Sequence, residues 1–300
     1  MAKSFNDVLE LAKQKGPKKI AVACAHDLEV LIAVKNAVER SIIEPILVGD
    51  KDKILELAKE IGLNLENIEI IDEKDKEQAS RIATSLVSSG KADILMKGLV
   101  DTSIIMKQVL DKEIGLRTGK VISHVAVFSV GTYHKMFMVT DAAMNIAPDL
   151  NQKKEIIENA VELAKALGIE NPKVAVLAAK EKVSPKMEAT VHAKELAEMN
   201  QRGEIKDCIV DGPFALDNAV SKESAKIKGI TSEVAGDADI LLVPDIEAGN
   251  VLYKSLTFLG NAKSAGVIIG AKSPIVLTSR ADNDEAKLNS IALAVLLASK

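Results

Sequence analysis

Short apolar runs of strand length alternate with amphipathic helical segments along most of this chain, and that alternation constrains the fold more than any other feature. Ile20–Ala25 reads as a strand, Leu28–Arg40 as a helix, Pro45–Gly49 as a strand and Lys51–Ile61 as a helix. Ile68–Asp72 and Ala92–Met96 read as further strands, with a helix over Asp75–Ser88 between them. Repetition of this kind gives a largely parallel sheet with helices on both faces, since each parallel return needs a crossover that a helix supplies.

The pattern changes after Leu116. Val121–Val130 and Lys135–Asp141 are two extended runs joined by a four-residue link, Gly131-Thr132-Tyr133-His134. Runs this close can pair only antiparallel. Alternation then resumes with a helix over Gln152–Leu167, a strand at Val174–Ala178 and a helix over Lys186–Gln201. Strands are expected near Cys208–Val210, Ile240–Val243, Gly266–Gly270 and Ile275–Thr278, followed by a last helix over Asp284–Ala298. Two α/β units around an antiparallel excursion predict two lobes with a cleft.

Composition excludes several classes of function. The net charge is −4, and the chain holds five Phe, two Tyr and no Trp. It lacks both the basic field and the stacking platforms that nucleic acid requires. No apolar stretch reaches bilayer-spanning length, and charges interrupt every apolar run of the N-terminal MAKSFNDVLELAKQKG, which reads as an amphipathic helix rather than a signal sequence. Cys24 and Cys208 are too few for a disulfide framework. A cytoplasmic protein with reduced thiols is expected.

In open α/β folds ligands bind beyond the carboxyl ends of the strands. Polar residues stand there in several places: Lys97-Gly98, Asp211-Gly212-Pro213, Pro244-Asp245 and Ser279-Arg280. Each set taken alone also fits a turn or a helix cap. Gly249-Asn250 precedes LYKSLTFLG, so its amides are placed to open a helix N-terminus, where an anion binds well. Lys97, Arg117, Lys254 and Arg280 add positive charge in an acidic protein, which points to a phosphorylated ligand.

Other chemistries find no support in the sequence. GLRTGKV at Gly115–Val121 departs from a nucleotide P-loop in both spacing and its final residue. G-x-G-x-x-G and G-x-S-x-G are absent. His26, His124, His134 and His192 show no zinc-site spacing, and no metal is expected. Both cysteines lie in apolar runs and read as small buried hydrophobes rather than nucleophiles.

Three segments together resemble the phosphate acetyltransferase and phosphate butyryltransferase family: Asp211–Ala219 (DGPFALDNA), Ala235–Lys254 (AGDADILLVPDIEAGNVLYK) and Ser279–Ala294 (SRADNDEAKLNSIALA). Asp141–Asp149 (DAAMNIAPD) is similar to the family's segment linking its two lobes, and Met96–Phe128 looks closest to the butyryltransferase branch. The resemblance implies two α/β lobes with a central cleft, similar to the isocitrate and isopropylmalate dehydrogenase architecture. It implies that the final helix returns to the first lobe, giving lobes of 1–140 plus 279–300 and of 141–278.

The same resemblance implies direct transfer of a short acyl group between coenzyme A and phosphate in a ternary complex. Coenzyme A enters as a co-substrate, and no permanently bound cofactor is implied. Ser279 and Arg280 are the implied catalytic pair, with Arg117 supplying a second positive contact from the other side of the cleft and Lys97, Asn145, Asn250 and Lys254 positioning substrate. Acetyltransferases of the family carry an Asp seven residues after that Ser; here the position is Ala286, with Asp282, Asp284 and Glu285 nearby. The resemblance also implies a homo-oligomer built from dimers. Phosphate acetyltransferase is the near alternative; a nicotinamide-dependent hydroxyacid dehydrogenase and a non-catalytic acyl-phosphate-binding protein are the alternatives from other classes.

Overall fold

A computed structural model describes residues 2–279 and 282–299. The chain opens with α1 (Phe5–Gln14), β1 (Lys18–Ala23), α2 (Leu28–Glu39), β2 (Ile43–Gly49), α3 (Lys51–Ile61) and β3 (Glu69–Asp72). Next come α4 (Lys76–Ser88), β4 (Ile94–Lys97), α5 (Thr102–Val109), β5 (Ser123–Ser129) and β6 (Phe137–Thr140). They are followed by α6 (Leu150–Ala166), β7 (Lys173–Leu177), α7 (Glu188–Gln201), β8 (Ile209–Phe214), α8 (Leu216–Val220) and α9 (Lys222–Ile227). The last elements are β9 (Ile240–Leu242), α10 (Ile246–Lys254) with a π-helical turn Ser255–Leu259, β10 (Lys263–Ile269), β11 (Ile275–Val276) and α11 (Asp284–Leu297).

Two compact units result, and each is described by itself. One comprises Phe5–Lys120 and Ala265–Lys300. Its strands run in the order β3-β2-β1-β4-β11-β10, parallel except for β10, which pairs antiparallel with β11. Asp27, Asp50 and Asp75 stop the chain after β1, β2 and β3 and start the next helix. Their carboxylates accept from Val30 N (3.0 Å), Lys53 N (3.4 Å) and Gln78 N (2.8 Å), which satisfies amides that a helix start leaves orphaned. From Lys287 to Leu297 every residue of α11 is buried, so this helix is a core element and not an amphipathic cover.

The other unit comprises Val121–Ser264 with the N-terminal residues through Ser4. The hairpin β5–β6 is antiparallel, as its short link requires, and β6 then pairs parallel with β9, which pairs with β7, and β7 with β8. Phe128, Phe137, Val139, Leu177, Phe214, Leu241 and Val243 form one core in this unit.

The division differs from the expected lobes at two segments. Residues 121–140 group with β7, β8 and β9 because Met138 pairs with Ile240 and the hairpin's side chains fill that core. Residues 265–278 group with the first unit because β11 pairs with β4.

Two local expectations also change. Thr102–Val109 forms α5, which the sequence pattern did not single out. Asp211-Gly212-Pro213 lies inside β8 rather than after it. Asp211 pairs with Ala175, and an irregularity between Ala175 and Leu177 takes up the interruption. A proline is tolerated there because β8 is an end strand of the order and the missing N–H leaves no ladder bond unmade.

Candidate active-site residues

In the unit holding α11, β4 and β11 are adjacent and parallel, with Val276 beside Met96. The predicted Lys97 and Ser279 therefore stand at the carboxyl ends of neighbouring strands, the edge where α/β sheets bind ligands. Ser279 is exposed. Its N–H donates to Asp282 Oδ2 (2.8 Å), and the N–H of Asp282 donates back to the Ser279 carbonyl (3.2 Å). Lys287, buried on the first turns of α11, donates to the Asp282 carbonyl and ties Asp282 to the helix. Asn283 then caps α11 through Ala286 N (2.9 Å). Arg280 lies outside the described residues.

Lys97 is buried, and its Nζ donates to the carbonyls of Gly98 (3.3 Å) and Val100 (3.1 Å). It closes the loop after β4. Gly98 lets that loop cross β1, since a Cβ there would come within 2.3 Å of the Cys24 carbonyl oxygen.

Arg117 is exposed between two pinned neighbours. The Leu116 carbonyl accepts from Lys272 N (2.8 Å), and Thr118 Oγ1 donates to the Gly270 carbonyl (2.6 Å). Gly270 and Lys272 belong to the turn from β10 into β11, so they mark the amino end of β11, whereas Ser279 follows its carboxyl end. Arg117 belongs to the same unit as Ser279, at the opposite end of the strand that leads to it.

The second unit holds the other predicted residues. Asn145 Nδ2 donates to Asp141 Oδ2 (2.6 Å) and to the Ile122 carbonyl (2.9 Å), and the amides of Ala143, Met144 and Asn145 all donate to the Asp141 carboxylate. Asn145 and the buried Asp141 thus fasten the loop after β6 to the start of β5. Asn250 and Lys254 are exposed and four residues apart on α10, so they share one face of that helix.

The expectation that Gly249 and Asn250 open a helix N-terminus is corrected. The helix starts at Ile246, capped by Asp245, whose carboxylate accepts from Ala248 N (2.8 Å). The Gly249 amide is already bonded to the Asp245 carbonyl (3.1 Å). An Asp after Pro244 is a better cap than the glycine four residues on. Gly249 serves packing instead: a Cβ there would stand 2.8 Å from the Asp141 carbonyl oxygen and 2.9 Å from Ala142 Cα.

The cysteines are buried as expected. Burial pushes the Cys24 thiol up to about 11 and the Cys208 thiol up to about 12, so neither supplies a thiolate at neutral pH.

The sequence profile described as phosphate acetyl/butaryl transferase matches residues 4–81 and 73–295. The chain belongs to that family. It is similar to the phosphate butyryltransferase of Clostridium acetobutylicum, with 51% identity covering 99% of each chain. It is nearly as similar to the phosphate acetyltransferase of Thermotoga maritima, with 50% identity covering 97% of this chain and 98% of that one. Among solved structures, a branched-chain phosphotransacylase from Enterococcus faecalis V583 matches with TM-score 0.83 and 36% identity, covering 94% of this chain and 99% of that one. A 4-hydroxythreonine-4-phosphate dehydrogenase from Klebsiella pneumoniae matches with TM-score 0.56 at 14% identity over 94% of this chain and 99% of that one, a likeness of fold alone. Family membership makes the chain an acyltransferase of the two-unit α/β type shared with such dehydrogenases. No helix among the described residues is long and apolar enough to cross a membrane.

Two features of the family member went unread in its sequence. The mutual Ser279–Asp282 bonds come from side-chain geometry that spacing alone does not reveal. Lys153 and His192, thirty-nine residues apart, meet only in three dimensions. For the former pair an Asp three residues after a Ser was the available signal; for the latter there was none.

Proposed function

We propose that the protein is a phosphate butyryltransferase, catalysing reversible transfer of a short acyl group between coenzyme A and inorganic phosphate. The observation that carries this reading is 51% identity, over nearly the full length of both chains, to a relative of that name. Transfer is direct. The sulfur of coenzyme A attacks the carbonyl carbon of the acyl phosphate, the carbon–oxygen bond to the phosphoryl group breaks, and phosphate leaves with the electron pair. The thiol proton passes to a base or to solvent.

Within this reading Ser279 and Arg280 hold the phosphoryl group, the guanidinium binding two oxygens at once and the hydroxyl donating a third bond. Because an acyl phosphate is already activated, orientation and charge stabilisation supply most of the acceleration. Ala286 removes the carboxylate that related acetyltransferases carry. Asp282, bonded to the Ser279 backbone, is the carboxylate best placed to substitute or to hold Ser279 in position. Lys97 shapes the neighbouring loop; Asn145 holds the loop after β6; Arg117, Asn250 and Lys254 are offered to the phosphates of the co-substrate. The enzyme works in the cytoplasm as a homo-oligomer, and coenzyme A is its co-substrate rather than a resident group.

Phosphate acetyltransferase is the second reading, favoured by the 50% identity to the Thermotoga maritima protein. Acetyl and butyryl differ by two methylenes, each worth about 1–3 kcal/mol of discrimination, so the poorer substrate is turned over more slowly rather than not at all. Phosphate-dependent release of coenzyme A from an acyl-chain series decides. Turnover peaking at four carbons is expected; a peak at acetyl-CoA moves the protein to the second reading. Folded protein that releases none overturns both.

A further inference from the structure

Helix α10 is apolar on two faces, and its own unit covers only one of them. Leu252, Tyr253 and Leu256 turn inward against the core around Phe128, Leu241 and Val243. The outer face carries Glu247, Val251 and Lys254, and Phe258 continues it in the π-helical turn. All four are exposed, and their spacing of four, three and four residues is that of a single helical stripe.

Large hydrophobic side chains left in water are few in this chain, and they collect here. Among the described residues five are more than half exposed: Ile146, Ile227, Val251, Phe258 and Leu259. Val251, Phe258 and Leu259 lie on α10 and its π-helical turn, at 66%, 65% and 86% exposure. Ile146, at 70%, stands beside the helix start, where its carbonyl accepts from Ile246 N (3.0 Å). Apolar side chains scattered singly need no partner, but a group of them rimmed by charges marks a contact surface.

The charges say which surface fits. Glu247 and Lys254 make no ion pair among the described residues and stand equally far on either side of the Asn250–Val251 peptide. Packing a second α10 antiparallel across a two-fold axis at that peptide brings Glu247 of each copy against Lys254 of the other. It also carries Phe258 and Leu259 to the start of the partner helix, where Ile146 stands. Parallel pairing would instead set Glu247 against Glu247 and Lys254 against Lys254, so the charges select the antiparallel sense. The stripe is complementary to itself, as a two-fold interface requires, with an apolar centre and a polar rim.

We propose that the outer face of α10, together with Ile146, is a two-fold interface between copies of this chain. It gives a place to the homo-oligomer proposed above and rests on no part of the reaction. Lys254 can serve both purposes, since an ammonium has three protons and a bond to the partner's Glu247 leaves two for a phosphate.

Sedimentation equilibrium of the full-length protein over a range of concentrations tests the interface. Wild type should be a dimer or an assembly of dimers. Val251→Glu sets two carboxylates against each other at the axis. It should raise the dissociation constant about 100-fold or more and halve the assembled mass, with the circular dichroism spectrum unchanged because the side chain is exposed in the single copy. Glu247→Lys and Lys254→Glu should each weaken association when alone. Mixing these two single variants should restore it, because each mixed pair then holds two Lys–Glu contacts.

Recovery on mixing keeps the test decisive even if Val251→Glu folds poorly. A monomeric wild type overturns the interface and the proposed assembly together. Wild type that assembles but ignores Val251→Glu, or weakened single variants that stay apart when mixed, overturns the interface alone and leaves the assembly and the activity standing.

Discussion

Ser279 and Asp282 hold each other through two hydrogen bonds: Ser279 N donates to the Asp282 carboxylate at 2.8 Å, and Asp282 N donates to the Ser279 carbonyl at 3.2 Å. The exposed serine after β11 is therefore fastened to Asp282, and α11 secures Asp282 through Lys287. A charged side chain is invested in the backbone on which the proposed phosphate ligand depends.

Substitutions at Asp282 separate a positioning role from a proton-accepting one. Asp282→Asn keeps a carbonyl oxygen able to accept from Ser279 N, whereas Asp282→Ala does not. Asp282→Ala is expected to lower kcat by about 10- to 100-fold, as a displaced catalytic group does, with Asp282→Asn much milder. Equal losses in the two variants, measured by steady-state kinetics, would instead mark Asp282 as the base.

Gly249→Ala should destabilise the protein, although Ala within a helix ordinarily stabilises relative to Gly by about 1 kcal/mol. The new Cβ would meet the Asp141 carbonyl oxygen at 2.8 Å and Ala142 Cα at 2.9 Å, and both are backbone that cannot swing aside. An overpacking cost of about 1–3 kcal/mol should lower the urea midpoint without changing the slope. A raised midpoint would show that α10 can shift.

Asp237 should govern part of the acid stability of its unit. Burial works against its charge, but hydrogen bonds from Lys173, His134 and Lys135 outweigh that and hold its carboxyl well below the usual carboxylate range. Its folded value lies below the unfolded one, so the contribution is present above about pH 4 and disappears as the pH falls below that toward the folded value. Asp237→Asn should cost about 1–3 kcal/mol at pH 7. The loss should shrink on acidification, as measured by urea unfolding at several pH values; a loss constant down to pH 2 would contradict the charge-based account.

Neither thiol should matter to turnover. With Cys24 at about 11 and Cys208 at about 12, both buried, an aromatic disulfide reagent should label native protein far more slowly than urea-unfolded protein. Cys24→Ala with Cys208→Ala should retain activity within about twofold, since a small buried thiol packs like a small hydrophobe. Rapid labelling of native protein with loss of activity would give one of the cysteines a chemical role.

Much of the architecture was legible in the sequence because it is encoded locally. Residues 51–61 form α3 as read, and the structure shows why the bounds are local: Asp50 caps the start and Gly62, in the left-handed conformation, closes the end. The hairpin β5–β6 followed from a four-residue link too short for any other pairing. The Ser279-Arg280 pair could be pointed to because it directly follows an apolar run.

Other matters depended on which surfaces bury which. Residues 121–140 joined the second unit because Phe128 and Phe137 fill its core, a choice between two hydrophobic destinations that periodicity cannot make. Gly249 looked like a phosphate loop, but the stronger cap at Asp245 began the helix earlier, and close packing on Asp141 explains the glycine. Arg117 was placed by the hydrogen bonds of its neighbours to Gly270 and Lys272, more than a hundred and fifty positions away. Local sequence determined the elements and their order; the tertiary structure alone decided what faces what, because burial and hydrogen bonding act between residues that are close in space at any separation along the chain.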